Sequence, residues 1–209
     1  MLSSISPLGE RARATRWGTT VSAYLLGSLL GGLALGALAA LVGALVPSGV
    51  RTSSVVTLLV GGVLVLLAAA DLLSSPTSGR RPLVRLPSWR RQVDEQWLGR
   101  YRGWVYGVGF GAQLGFGVVT IITSATVYAV VLVALWSGEL PVGLVLGGAF
   151  GLVRALPVLA TRRAQEPASL RRLLARVDRW ARPAEHVAVG SLSAAGVAVA
   201  AIAVAGGVL

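Results

Sequence analysis

The chain divides into long apolar runs with almost no charge, separated by short stretches that hold nearly all of it. A run of about 20 apolar residues is what a helix needs to cross the roughly 30 Å hydrocarbon core of a bilayer. The first run covers 20–46, is glycine-rich and stops at Pro47; the second covers 55–73 and carries Asp71 near its end. The third, 103–136, is too long for one straight span. Its glycine-rich entry, Gly103–Phe116, reads as broken, tilted or partly re-entrant, with the main span following from Gly117 to Trp136. The fourth covers 142–160, with Arg154 and Pro157 inside it, and the fifth covers 187–209. The pattern predicts an all-α polytopic membrane protein of about five spans, forming one transmembrane domain over 1–209.

The connections set an orientation. The N-terminal segment has three arginines (Arg11, Arg13, Arg16), the next connection has Arg51 alone, and the loop 74–102 has seven. The connection 137–141 has none, the loop 161–185 has seven again, and no charge follows the last span. Cytoplasmic connections carry the arginine excess. Five spans then place the N-terminus and the two rich loops in the cytoplasm and the C-terminus outside, in the inner membrane. Trp89, Trp97, Trp104 and Trp136 stand close to the expected boundaries, where amphipathic rings anchor.

Composition narrows the function classes. With 55% hydrophobic and 13% charged residues and a mean hydropathy of +0.75, the chain lacks the polar surface a soluble domain of this size needs. The net charge of +11 would suggest nucleic acid in a soluble protein. Here the arginines lie between apolar runs with little aromatic interleaving, so they read as a topology signal and no nucleic-acid partner is expected. All 19 basic residues are arginine and there is no cysteine, which excludes thiolate chemistry and Cys-based metal sites in these residues. The single histidine, His186, cannot build a metal site alone, and no phosphate loop, zinc-protease motif or paired catalytic carboxylates occur. The expectation is a non-enzymatic protein without cofactor or metal. The N-terminus has no apolar core ahead of its charges and does not read as a cleavable signal peptide.

Small residues recur at four-residue spacing: Gly27 with Gly31, Gly32 with Gly36, then Gly107, Gly111 and Gly115, then Gly143, Gly147 and Gly151. In lipid, such stripes let helix backbones approach closely. Gln113, Thr120, Thr123, Ser124 and Thr126 make the third run polar on one side and form a candidate polar pathway, with Asp71 and Arg154 as the charges inside spans. Both charges lie toward the cytoplasmic ends of their helices, at depths that would let them pair. Serine and threonine hydrogen-bonding within the bundle is the simpler reading of the same hydroxyls. The segment Leu170–Trp180 sets Leu170, Leu173, Leu174 and Val177 on one helical face and arginines on the other. It would either lie on the inner membrane surface or cover the span ends. The segment Gly27–Gly32 parallels Gly143–Gly148, in spans that cross in opposite directions. That is the signature of an inverted repeat, here a three-plus-three bundle lacking its first helix.

The N-terminal stretch from Met1 to Arg11, the Arg16-Trp17-Gly18 sequence before a glycine-rich span, Trp97–Gly107, Gly109–Gly115 and Val118–Thr123 carry a family resemblance. They resemble actinobacterial membrane proteins similar to the cytochrome c biogenesis, thiol–disulfide conduit family, within the wider LysE-type exporter superfamily. The resemblance implies six helices in two inverted repeats that handle small molecules or reducing equivalents. No catalytic residue carries over, because the family's cysteine positions have no counterpart here. Three functions follow: a small-solute transporter or transporter-like protein of the inner membrane; a membrane component of thiol-redox or cytochrome c maturation working with a cysteine-bearing partner; or a non-transporting scaffold subunit. The expected partners are the lipid bilayer, a membrane or thiol-redox protein, or further copies of the chain.

Overall fold

The structure, a computed structural model, describes residues 5–13, 15–74, 101–117 and 124–206. Among the described residues every regular element is helical. They are α1 (Pro7–Ala12), α2 (Trp17–Ala44), α3 (Ser48–Arg51), α4 (Ser54–Ser74), α5 (Gly103–Phe116), α6 (Thr126–Ser137), α7 (Leu140–Ala155), a 3-10 helix (Leu156–Arg163) and α8 (Pro167–Gly206). Four stretches are long and apolar enough to cross a membrane: Trp17–Ala44, Ser54–Ser74, Leu140–Arg163 and Pro167–Gly206. This is an all-α membrane protein.

The third apolar run is interrupted further along than the sequence suggests. Helix α5 stops at Phe116, where Gly117 takes φ 69°, a left-handed conformation that glycine adopts without a Cβ penalty. The next helix begins at Thr126 rather than Gly117. The fourth span ends its α-helical part at Ala155 and continues as a 3-10 helix through Pro157. Proline has no N–H for the i−4 carbonyl, and the tighter winding takes over at that point. The expected cytoplasmic loop 161–185 is largely helix. The amphipathic segment and the fifth span form the single 40-residue helix α8, with Pro183 inside it. The expected loop 74–102 lies almost wholly outside the described residues.

The side chains of α2 explain why this arrangement suits lipid. Its buried stripe is dominated by small residues, Ala23, Gly27, Ser28, Gly31, Gly32, Gly36 and Ala40, with Val21, Tyr24 and Leu35 as the larger members, while Leu26, Leu30, Leu38 and Leu41 stand more than half exposed. In water this would leave a large apolar face unsatisfied. In a bilayer the leucines meet acyl chains and the small residues allow helix contact.

The chain divides into two compact units. The described residues of the first fall within 5–35, 101–117 and 147–180. In it α5 lies along α2. A methyl group placed on Gly107 would strike the Thr20 carbonyl oxygen, on Gly111 that of Tyr24, and on Gly115 that of Ser28. From the other side, methyls on Gly27 and Gly31 would strike Val108 and Ala112 backbone. Helix α7 runs antiparallel to α2, with Gly32 against Gly147 and Gly151 against Ser28. The Ser28 hydroxyl donates to the Gly151 carbonyl at 2.8 Å. Around this seam Ile5, Val21, Tyr24, Tyr106, Phe110, Ala155 and Val158 form the apolar core.

In the second unit, described over 36–74, 124–146 and 181–206, Gly143 meets the Gly36 carbonyl and Gly43 meets that of Leu135. Helices α4 and α8 meet where Gly61 and Gly196 face each other. The core here joins Val60, Leu64, Ala68, Ala129, Val189 and Leu192. At one end Arg51 donates to the carbonyls of Val46, at 3.0 Å, and of Trp136, at 3.0 Å, and also to that of Ser137, while the Trp136 indole N–H donates to the Arg51 carbonyl at 3.0 Å.

Candidate functional site

Two buried carboxylates dominate the polar chemistry, one in each unit. In the first unit, Ser6 caps α1 by accepting the Gly9 N–H at 3.2 Å, with Pro7 at the first helical position. That short helix carries Glu10 inward, fully buried. Its Oε1 accepts from Arg13 Nη2 at 2.8 Å and from the Tyr106 hydroxyl; its Oε2 accepts from Thr15 Oγ1 at 2.5 Å and Thr20 Oγ1 at 2.7 Å. The Arg13 guanidinium also stands 5.6 Å over the Tyr106 ring, a cation–π distance. Burial opposes ionisation of Glu10, yet the hydrogen bonds from Thr15, Tyr106, Thr20 and Arg13 outweigh it and hold the carboxyl below its ordinary 4.5. Burial likewise works against the Arg13 charge, and the pairing with Glu10 and Tyr106 raises its pKa despite it. Four donors on two oxygens fill the acceptor capacity of a carboxylate. The site therefore binds the N-terminal segment to α2 and α5. A second tie lies beside it: the Ile5 carbonyl accepts from the Trp17 indole at 3.2 Å and from Thr161 Oγ1 at 3.2 Å.

The first unit also contains Gln113 and Arg154. Gln113 is half-buried on α5. Arg154, half-buried on α7, places its guanidinium 5.6 Å over the Phe150 ring, within electrostatic reach of Tyr24.

In the second unit Asp71, 5% exposed, sits near the end of α4. Its Oδ1 accepts the Ala125 N–H at 2.6 Å and its Oδ2 the Ser124 hydroxyl at 2.8 Å. Ala125 is the residue from which α6 starts, and Ser124 Oγ in turn accepts the Thr126 N–H at 3.2 Å. A carboxylate on the unsatisfied N–H groups of a helix start is the favourable sign for the helix dipole. Asp71 thus holds the point where the interrupted third run resumes.

Of the candidate pathway residues, the structure joins Asp71 to Ser124 and leaves Gln113 and Arg154 in the other unit; Thr120 and Thr123 lie outside the described residues. Within the second unit the partners of Asp71 are Ser124 and Ala125. Sequence reading missed Glu10. The available signal was a single acid among arginines, three residues from Arg13, just before a threonine-rich entry into the first span. It also missed Gly43, Gly61 and Gly196, which have no four-residue glycine partner at their contact.

No family model matches the chain, and no solved structure matches it. Two curated proteins do. Methylamine utilization protein MauF of Paracoccus versutus is 32% identical over 160 residues, covering 75% of this chain and 55% of the relative. MauF of Methylobacillus flagellatus is 29% identical over 161 residues, covering 75% of this chain and 53% of the relative. The chain therefore spans about half the length of the curated relatives it matches.

Proposed function

We propose that the chain is a membrane-embedded accessory component of a utilization or maturation system of the MauF kind, acting with a partner that carries the redox chemistry. The observation that carries this reading is the similarity to two proteins named for methylamine utilization, over three quarters of the chain. The sequence holds no cysteine, so any thiol exchange in such a system falls to that partner. The arginine distribution supports an inner-membrane orientation with the N-terminus in the cytoplasm.

A second reading, a small-solute transporter, is favoured by a separate observation. The interrupted third run, with Gly117 at its break and the buried Asp71 at its restart, has the form that discontinuous helices take at transporter sites. Deleting the gene from its host and re-expressing the wild type or Asp71→Asn separates the two. The accessory reading expects wild-type uptake of labelled methylamine by the deletion strain, with loss of assembled amine-oxidising activity. Transport expects loss of uptake, restored by wild type but not by Asp71→Asn. Normal uptake together with normal activity in the deletion strain would remove both.

A further inference from the structure

Helices α2 and α5 run parallel in the first unit, and their entry turns stand side by side. A methyl group on Gly103 would meet Thr20 Oγ1 at 2.6 Å and Thr15 Cβ at 3.4 Å. Arg16 and Arg102, next to those contacts in the chain, therefore flank one small area. Both are exposed, as is Arg11 on α1. Tyr101 and Trp104, 46% and 54% exposed, neighbour Arg102 in the chain. Glu10 is the only acid within residues 1–35 and 101–117, and Arg13 holds it at 2.8 Å. Arg11, Arg16 and Arg102 make no ion pair with another described residue. The area is therefore positive and aromatic, with no acid of these two stretches left to neutralise it.

The helices that carry these residues set their depth in a bilayer. The apolar run of α2 starts at Val21, five residues beyond Arg16, which is about 7 Å of helix rise. One headgroup layer is about 5–8 Å thick. Gly107 packs at the level of Thr20, so Arg102 and Trp104, one turn earlier on α5, lie at the depth of Arg16. At that depth a guanidinium meets lipid phosphate, its aliphatic stem extends over the acyl boundary, and exposed tyrosine and tryptophan rings are favoured. A soluble acidic protein does not reach into this layer. We propose that Arg16 and Arg102, with Tyr101 and Trp104, form a binding site for the phosphate of an anionic phospholipid headgroup. This inference does not depend on the accessory or transport reading.

The test reconstitutes the full chain in vesicles of equal phosphatidylglycerol and phosphatidylcholine and identifies, by native mass spectrometry, the lipids that stay bound on extraction. The wild type is expected to retain phosphatidylglycerol preferentially. Arg16→Gln combined with Arg102→Gln should cut that preference about tenfold, because each charge near the surface contributes to it. Arg171→Gln combined with Arg172→Gln removes the same charge more than about 20 Å along α8 from the apolar residues 187–206, and should leave the preference unchanged. Equal retention of the two lipids by the wild type, an unchanged preference in the first variant, or an equal loss in the second overturns the proposal. Both arginines of the first variant are exposed, so it should keep the wild-type thermal midpoint. Should it fail to fold, Arg102→Gln alone decides: a loss of about threefold is expected, and an unchanged preference overturns the proposal as well. Inorganic phosphate should displace the lipid no more than sodium chloride of equal ionic strength does. Stronger displacement by phosphate would assign the site to a free anion and likewise overturn it.

Discussion

Glu10 and Asp71 are both carboxylates withdrawn almost completely from solvent, and each lies where two or more helices must be held in register. They are satisfied differently. Glu10 is surrounded by side chains: a guanidinium, two threonine hydroxyls and a phenol. Asp71 takes one backbone N–H and one serine hydroxyl, both at the start of a single helix. The first is a charge-compensated clasp that fixes a terminal segment. The second is a cap supplied from outside the helix it serves. The difference shows that burial alone does not tell what a carboxylate does. The identity of its donors does, and it also sets what is lost when the carboxylate is removed.

The comparison is most sharply broken by Glu10→Ala, which takes the carboxylate from Arg13 and from the Tyr106 hydroxyl, while Thr15 and Thr20 keep the backbone carbonyls of residue 10 and Arg16 as acceptors. The cost of stranding a partly buried charge is about 3 kcal/mol, read as a fall in the thermal midpoint of the detergent-solubilised protein. A loss as small as that of an ordinary surface substitution would show that the clasp is idle. Gly115→Ala is expected to cost about 1–3 kcal/mol by the same measurement, because the new methyl meets the Ser28 carbonyl and the Gly32 nitrogen, neither of which can step aside. Gly62→Ala, where nothing lies within 4 Å, should be neutral or gain up to about 1 kcal/mol. Asp71→Asn keeps an acceptor for Ala125 but loses one carboxylate oxygen, so the weakened cap is expected to cost less than the about 1 kcal/mol of a cap removed outright. Equality with Glu10→Ala would mean that the two sites are the same kind of device after all.

A pH series separates them further. Because the Glu10 carboxyl is held below its ordinary 4.5 in the folded protein, its contribution is complete above that value and is lost as pH falls through the lower folded-state value. Wild-type protein should therefore lose thermal stability progressively below about pH 4.5. In Glu10→Gln this part of the acid dependence should vanish, leaving a flatter curve. A curve of unchanged steepness would assign the acid sensitivity to other groups.

How much was legible in advance follows the same division. Asp71 was visible because an acid inside an apolar run has to be explained by any reading of the sequence, and so did Arg154. Glu10 lies among arginines in a segment that reads as a solvated tail, and its burial depends on Thr20 and Tyr106, which are 10 and 96 residues away. No local pattern brings those together. The glycines at four-residue spacing were readable as a group, while Gly43, Gly61 and Gly196 meet their neighbours singly. The boundary errors have local causes as well. The expected start of the second half of span three at Gly117 ignored that a left-handed glycine ends a helix. Within the connection 161–185 the helical face over Leu170–Trp180 was readable, whereas its continuation without a break through Pro183 into the fifth span was not.

The inverted texture of α2, with small residues inward and leucines outward, has a consequence for how this chain can change. Its outward positions can exchange one branched aliphatic for another without touching a neighbour. Its inward glycines fit because atoms are missing there, and any replacement adds some. Divergence among descendants of this sequence should accordingly be lopsided around the helix axis, fast on the greasy side and nearly frozen on the bare one.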